Sequence, residues 1–227
     1  MPFVAHVPDA MFKTDPIAAM RKYNLPPKFI FLPNQFWKHK NHDIVIEAVN
    51  KAVKQEPSLV VVFSGAPEDT RDRFYGPYLR SKIQFYELQK HIKILGLIPE
   101  EDVFALMRAS ICILQPSLYE GWSTVVEQAK SLGKPILLSD LEVHREQNPE
   151  KGQYFEPHDA NKLAHLLITI MREGVPGPDQ KAESAALSMV HERSVVFGKQ
   201  FSQLVHETID VFHKSVAPQC SKSELLI

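Results

Sequence analysis

Short unbroken apolar runs alternate along this chain with stretches in which apolar residues return every three or four positions. Phe29, Ile30, Phe31 and Leu32 form the first run, ended by Pro33, and residues 59–63 form the second, closed by Ser64 and Gly65. Runs of this length without polar alternation predict strands buried on both faces. Further strands are expected at 92–95, 111–114 and 136–138, with a weaker one at Tyr154 and Phe155. Between them, Ile44, Val45, Ala48, Val49, Ala52 and Val53 recur at helical spacing until Pro57, and helices are expected over 99–109, 124–132, 142–147 and 161–172. The mixed stretch 71–90 reads as a helix broken in two by Gly76 and Pro77. Buried strands separated by helices predict an α/β fold whose doubly wound, mostly parallel, Rossmann-like sheet is covered on both faces.

The ends of the chain read differently. Residues 1–27 hold Pro2, Pro8, Pro16, Pro26 and Pro27 without a sustained apolar period, which predicts an extended lead-in with one short helix over 16–23. The alternating unit occupies 28–173, and the Gly174, Val175, Pro176, Gly177, Pro178 cluster closes it. In the extension 174–227, Phe197, Phe201, Leu204, Val205 and Phe212 mark one face of a C-terminal helix, and the tail after Ala217 is expected to fray. That apolar stripe either buries against the sheet domain or stays exposed, and exposure would favour self-association.

Charge and composition narrow the function. The 26 basic and 27 acidic residues nearly cancel and 44% of the chain is hydrophobic, so disordered and supercharged classes are excluded. A nucleic-acid binder would carry a basic footprint that is missing here. The two cysteines, Cys112 in an apolar run and Cys220 in the tail, belong to no C-x-x-C pair, and Cys112 reads as a small buried hydrophobe. No apolar stretch approaches the roughly 20 residues of a membrane span, and the first twenty residues lack a signal-peptide pattern. The expectation is a cytoplasmic protein.

Familiar nucleotide signatures are missing as well. No G-x-G-x-x-G occurs, and Gly133-Lys134 has no glycine at Walker spacing before it, so a dinucleotide dehydrogenase and a P-loop phosphotransferase lose their main support. The ten histidines are scattered, with no second histidine one helical turn from His144, His191 or His206, so no two-His zinc helix can be drawn and no metal is expected.

Two strand-to-helix turns remain. The first, Leu32-Pro33-Asn34-Gln35-Phe36-Trp37-Lys38-His39-Lys40-Asn41-His42, places two lysines before a helix, where free amides, the helix dipole and ammonium charge all favour an anion. A solvated basic turn has the same composition. The second runs from Gln115 through Ser117, Glu120, Gly121, Trp122, Ser123 and Thr124 into a helix. Thr124 with Glu127 three residues on predicts a capping box, whereas Glu120 has no comparable local duty.

The stretch P-S-L-Y-E-G-W-S-T-V-V-E-Q-A-K-S-L-G-K-P-I-L-L-S-D resembles the donor-site segment of family 4 glycosyltransferases, retaining enzymes of the two-domain GT-B fold. Lys40-Asn41 after the first strand, Ile94 through Pro99 after the third, and Phe155-Glu156-Pro157-His158-Asp159 near the end keep the same order over about residues 25–175. The resemblance implies the C-terminal, donor-binding half of a GT-B protein. It implies Lys40 on the diphosphate of a nucleotide sugar, with the amides near Ser123 and Thr124 aimed at the same group. Leu97 and Ile98 would line the base pocket, Glu120 would contact the donor sugar, and Gly121 and Trp122 would let the chain pass close to it. Two positions depart from the family pattern. Gln35 stands where many relatives have a phosphate-binding arginine, unless Lys38 substitutes. Gln128 falls where the second glutamate of the motif belongs, so an amide replaces a charge.

The implied activity is sugar transfer with retention from a nucleotide-diphosphate sugar to an unknown acceptor, without metal or other cofactor. GT-B enzymes place the acceptor site in a first half, and the resemblance covers only the second, so a separate acceptor-binding half or partner chain is expected. Their last helix typically crosses back to that first half. A non-catalytic nucleotide or nucleotide-sugar module is the alternative, and a hydrolase using Glu120 and Glu127 as a carboxylate pair is a third reading.

Overall fold

The computed structural model describes residues 4, 7–67 and 72–216. Pro2, Arg71 and the tail after Ala217 with Cys220 lie outside the described residues. The strands are β1 (Ile30–Pro33), β2 (Val61–Ser64), β3 (Ile92–Ile94), β4 (Cys112–Gln115), β5 (Ile136–Ser139) and β6 (Gly152–Phe155). They form one sheet in the order β3-β2-β1-β4-β5-β6, with every neighbouring pair parallel. This is the doubly wound, Rossmann-like sheet expected from the pattern. Four strands run one residue past their apolar runs, ending on Pro33, Ser64, Gln115 and Ser139, which still pair in register with their neighbours.

Both faces are covered. On one side α3 (His42–Ala52), α4 (Tyr75–Phe85) and α8 (Ala160–Glu173) bury Ile46, Leu79 and Leu163 with Ile30, Leu32 and Phe63. On the other, α1 (Asp9–Phe12), α2 (Pro16–Lys22), α5 (Glu100–Ala109) and α6 (Thr124–Ser131) bury Met11, Ala19, Phe104 and Val126 with Phe31, Val62 and Ile113. The described part of the proline-rich lead-in is therefore packed, and it contains α1, which the pattern did not reveal. Its anchors are polar too: Tyr23 donates to Asp102 at 2.6 Å, and Arg108 Nη1 donates to the Thr14 carbonyl at 2.9 Å. The expected break at Gly76 and Pro77 does not occur. Both fall in the first turn of α4, where a proline lacks only an N–H that would have no helical acceptor.

The final helix α9 (Gln180–Val216) begins well before the stripe that predicted it. Its start packs on α6, burying Ala186 and Val190, and Glu183 meets Arg108 in a two-pronged, buried ion pair at 2.8 and 3.1 Å. Beyond that the stripe stays exposed, with Phe201 and Leu204 each at 52% and Phe212 at 59%. Of the two dispositions open to it, the exposed one holds.

Strand order reverses between β1 and β4. Their connections leave towards opposite faces, so a crevice opens beyond the carboxyl ends of these two strands, the place where a sheet of this kind takes a ligand.

Candidate functional site

A cavity of about 320 Å³ fills that crevice. It is lined by Gln35, Lys40, Leu97, Ile98, Glu120, Trp122, Ser123, Thr124 and Gln128, so nine of the residues singled out from sequence meet there although they come from three separate loops and a helix. Two others do not line it. Lys38 lines a separate hollow with Phe74, Tyr75 and Tyr78. Gly121 is exposed, and a side chain added there would meet open space.

The loop before α3 is built around an unusual backbone. Lys38–Lys40 form a short 3-10 turn, and Asn41 then takes a left-handed conformation at φ 56°. Its side-chain amide donates to the Pro116 carbonyl at 3.0 Å and the Pro157 carbonyl at 2.9 Å, tying the loops after β1, β4 and β6 together. The Leu118 amide donates to the His39 carbonyl at 2.8 Å, and the His39 and Tyr119 rings stack at 4.6 Å. Replacing Asn41 with alanine should lower stability by about 2–3 kcal/mol, since alanine tolerates the left-handed conformation less well than asparagine and two carbonyls lose their donor. Urea unfolding of the two proteins measures this, and a difference under about 0.5 kcal/mol would contradict the role given to Asn41.

Lys40 and Glu120 face each other across the clamped loops. Lys40 Nζ lies 2.6 Å from Glu120 Oε1, with the two side chains only 13% and 9% exposed. Lys40 is the one cationic side chain lining the cavity among the described residues. Gln35 contributes no charge: its Oε1 accepts the Ala66 amide at 2.6 Å and so fixes the loop after β2. Gly65 in that loop has φ +139°, and any Cβ there would meet the Asn34 carbonyl oxygen at 2.3 Å, so glycine alone permits the close approach.

Across the cavity stands the start of α6. Ser123 is its N-cap, and its hydroxyl accepts the Val126 amide at 3.4 Å. The Glu127 amide reaches the Ser123 carbonyl, which leaves the Thr124 and Val125 amides of the first turn without an acceptor among the described residues. Both residues line the cavity opposite Lys40. The capping box expected of Thr124 and Glu127 is not formed. With Ser123 as cap, Glu127 lies one position too far along the helix, and the Ser123 amide is taken by Gln147 Oε1 at 3.3 Å. Glu127 instead points away from the cavity, 1% exposed, paired with Lys130 and Arg193 at 3.0 Å each and bonded by Gln147 Nε2 at 3.1 Å.

Two histidines lie beneath the site. His42, fully buried at the start of α3, stacks on Phe36 at 4.5 Å, and burial pushes its pKa down to about 3, with the nearby Lys40 charge adding to the effect. His144 is buried in α7 (Glu142–Gln147), its Nδ1 donating to the Ser139 carbonyl at 2.7 Å, and burial lowers its pKa as well. Cys112 is buried as expected, its thiol pushed up to about 12.

The crevice thus brings one lysine and the start of one helix to a single cavity, and the chain around it has known relatives. Residues 17–186 fit the family of glycosyl transferases group 1. The chain belongs to that family. Among proteins similar to this glycosyl transferase domain, O-antigen chain mannosyltransferase B of Escherichia coli is 32% identical over 80 residues, 35% of this chain and 21% of that one. Phosphatidyl-myo-inositol mannosyltransferase of Mycobacterium leprae is 24% identical over 185 residues, 79% of this chain and 46% of that one. Among solved structures, Anabaena HepE in complex with UDP superposes with a TM-score of 0.69 at 18% identity, covering 89% of this chain and 54% of that one. The domain thus spans 21–46% of the length of these curated relatives. No helix among the described residues is long and apolar enough to cross a membrane.

Sequence reasoning left out Pro33, Asn34, Trp37, Ser64, Gly65, Val103 and Val125, which also line the cavity. The rule that ligands bind beyond strand ends would have pointed to Asn34, Ser64 and Gly65, because they follow or close β1 and its neighbour β2.

Proposed function

We propose that this domain binds a nucleotide-diphosphate sugar and provides the donor side of a retaining, family 4 type glycosyl transfer, with the acceptor held by a separate half or partner. The observation that carries this reading is the meeting of Lys40 and the unbonded Thr124 and Val125 amides in one cavity. As the glycosidic bond breaks, negative charge grows on the departing nucleoside diphosphate, and fixed amides with an ammonium stabilise that charge more than they stabilise the bound donor. Leu97, Ile98 and Val103 supply the apolar wall for the base, and Glu120 faces the sugar. The HepE structure is of a complex with UDP, which supports a uridine nucleotide as the first candidate. Retention rests on the resemblance to family 4.

The same residues support transfer without a metal. The carboxylate lining the cavity, Glu120, is already ion-paired with Lys40, a poor ligand set for a divalent cation. They also speak against a hydrolase, since Glu127 is buried in its own ion pairs and forms no carboxylate pair with Glu120 across the cavity.

Titration calorimetry with UDP, GDP and ADP, and with their glucose and mannose derivatives, tests the reading. Saturable binding of one nucleotide and its sugar, unaffected by EDTA, is the expected result. Heat with none of them, or binding that disappears with EDTA, would sink it.

A further inference from the structure

Glu120 sits in a loop, where a carboxylate would ordinarily sample several rotamers. Here its own neighbours hold it. Three donors converge on its Oε1: Lys40 Nζ at 2.6 Å, Gln115 Nε2 at 2.7 Å and Ser117 Oγ at 2.7 Å. Its other oxygen, Oε2, accepts none of these bonds, and the residue lines the cavity.

The donors are held in turn. Gln115 ends β4 and is fully buried, and its Oε1 accepts Asn34 Nδ2 at 2.8 Å from the end of β1. That bond settles which way the Gln115 amide faces, because only then can its Nε2 serve Glu120 and also reach Ser117 Oγ at 3.1 Å. Ser117 is fully buried and Asn34 is 4% exposed, so the relay from the β1 end to Glu120 lies out of water, where a satisfied polar chain is stiff and a broken one is costly. Polar residues in a buried strand end demand a reason, and packing alone would have been served by apolar ones.

We infer that Asn34, Gln115 and Ser117 are positioning residues that saturate one oxygen of Glu120 and so present the other, Oε2, to the sugar of the bound donor. The inference rests on the reading of this cavity as a nucleotide-sugar site. It adds that the sugar, and not the nucleotide, senses this relay. The diphosphate is gripped by Lys40 and the α6 amides, whereas Oε2 meets only the group beyond it.

Calorimetry that compares a bare nucleotide with its sugar separates these roles. The probes are UDP and UDP-glucose, or GDP and GDP-mannose if the wild type takes those. Ser117→Ala and Gln115→Leu should keep affinity for the bare nucleotide within about twofold while losing about tenfold for the nucleotide sugar, and Ser117→Thr, which keeps the hydroxyl, should recover most of it. Unchanged nucleotide-sugar affinity in Ser117→Ala and Gln115→Leu would overturn the positioning role and leave the proposed function standing. Equal loss of both ligands in all three variants would reduce the relay to a structural one, and also overturn it. A wild type that binds none of UDP, GDP, ADP and their sugars would remove the proposed function itself, and this inference with it. Should Gln115→Leu fail to fold, as judged by its thermal midpoint, the Ser117 pair decides.

Discussion

Lys40→Ala should weaken nucleoside diphosphate binding by about 100-fold. A charge-assisted hydrogen bond to phosphate is worth about 1.5–3 kcal/mol, or roughly one to two powers of ten in affinity. The variant also leaves Glu120, 9% exposed, without its cation, so a bare carboxylate then faces the incoming diphosphate. Gln35 cannot replace the charge because its side chain is a neutral amide, held through its Oε1 by the Ala66 N–H, and Lys38 lines a different hollow. Calorimetry on folded Lys40→Ala, with urea unfolding to show that it is folded, measures the loss. A dissociation constant within threefold of wild type would mean that the anion is held elsewhere.

Glu120→Gln tests the same pair from its other side. Freeing the Lys40 ammonium should leave binding of the bare nucleotide equal or tighter, while the sugar loses its charged acceptor.

The path from sequence to this site was uneven for physical reasons. Apolar runs located six strands because a parallel sheet buried on both faces requires them, and the order of the loops then followed from chain connectivity. The same logic hid the strand ends. Ser64, Gln115 and Ser139 still pair in the sheet but are polar, the last two with side chains that serve hydrogen bonds, so a hydrophobicity reading stops one residue early. Glu127 misled in another way. The spacing from Thr124 fits a capping box, yet Ser123 lies one residue earlier and caps the helix, which frees Glu127 for Lys130, Gln147 and Arg193. Arg193 lies 66 positions away on a helix whose start the pattern had not placed, and no local spacing rule reaches it. Resemblance supplied the roles of Lys40 and Glu120, but the relay behind Glu120 became visible only when Asn34 and Ser117 were seen to meet it.

The second large effect is on stability in acid. His42 is fully buried at the start of α3, neither ring nitrogen makes a hydrogen bond of good geometry, and its pKa is pushed down to about 3. In the unfolded chain it titrates near 6.5. Between those values the unfolded state binds a proton that the folded state refuses, so stability falls as pH drops through 6.5 towards 3 and is intact above 6.5. From pH 7 to pH 4 this one group should remove about 3 kcal/mol, with the depressed His144 acting in the same direction. Carboxylates change stability over the same range, so the diagnostic quantity is the difference between wild type and His42→Phe, a ring that can keep the stack on Phe36 and carries no proton. Urea unfolding at pH 7, 5.5 and 4 should give a markedly flatter dependence for the variant, whatever its absolute stability. Parallel curves would mean that His42 accepts its proton in the folded protein and that the ground beneath Lys40 is wetter than its burial indicates.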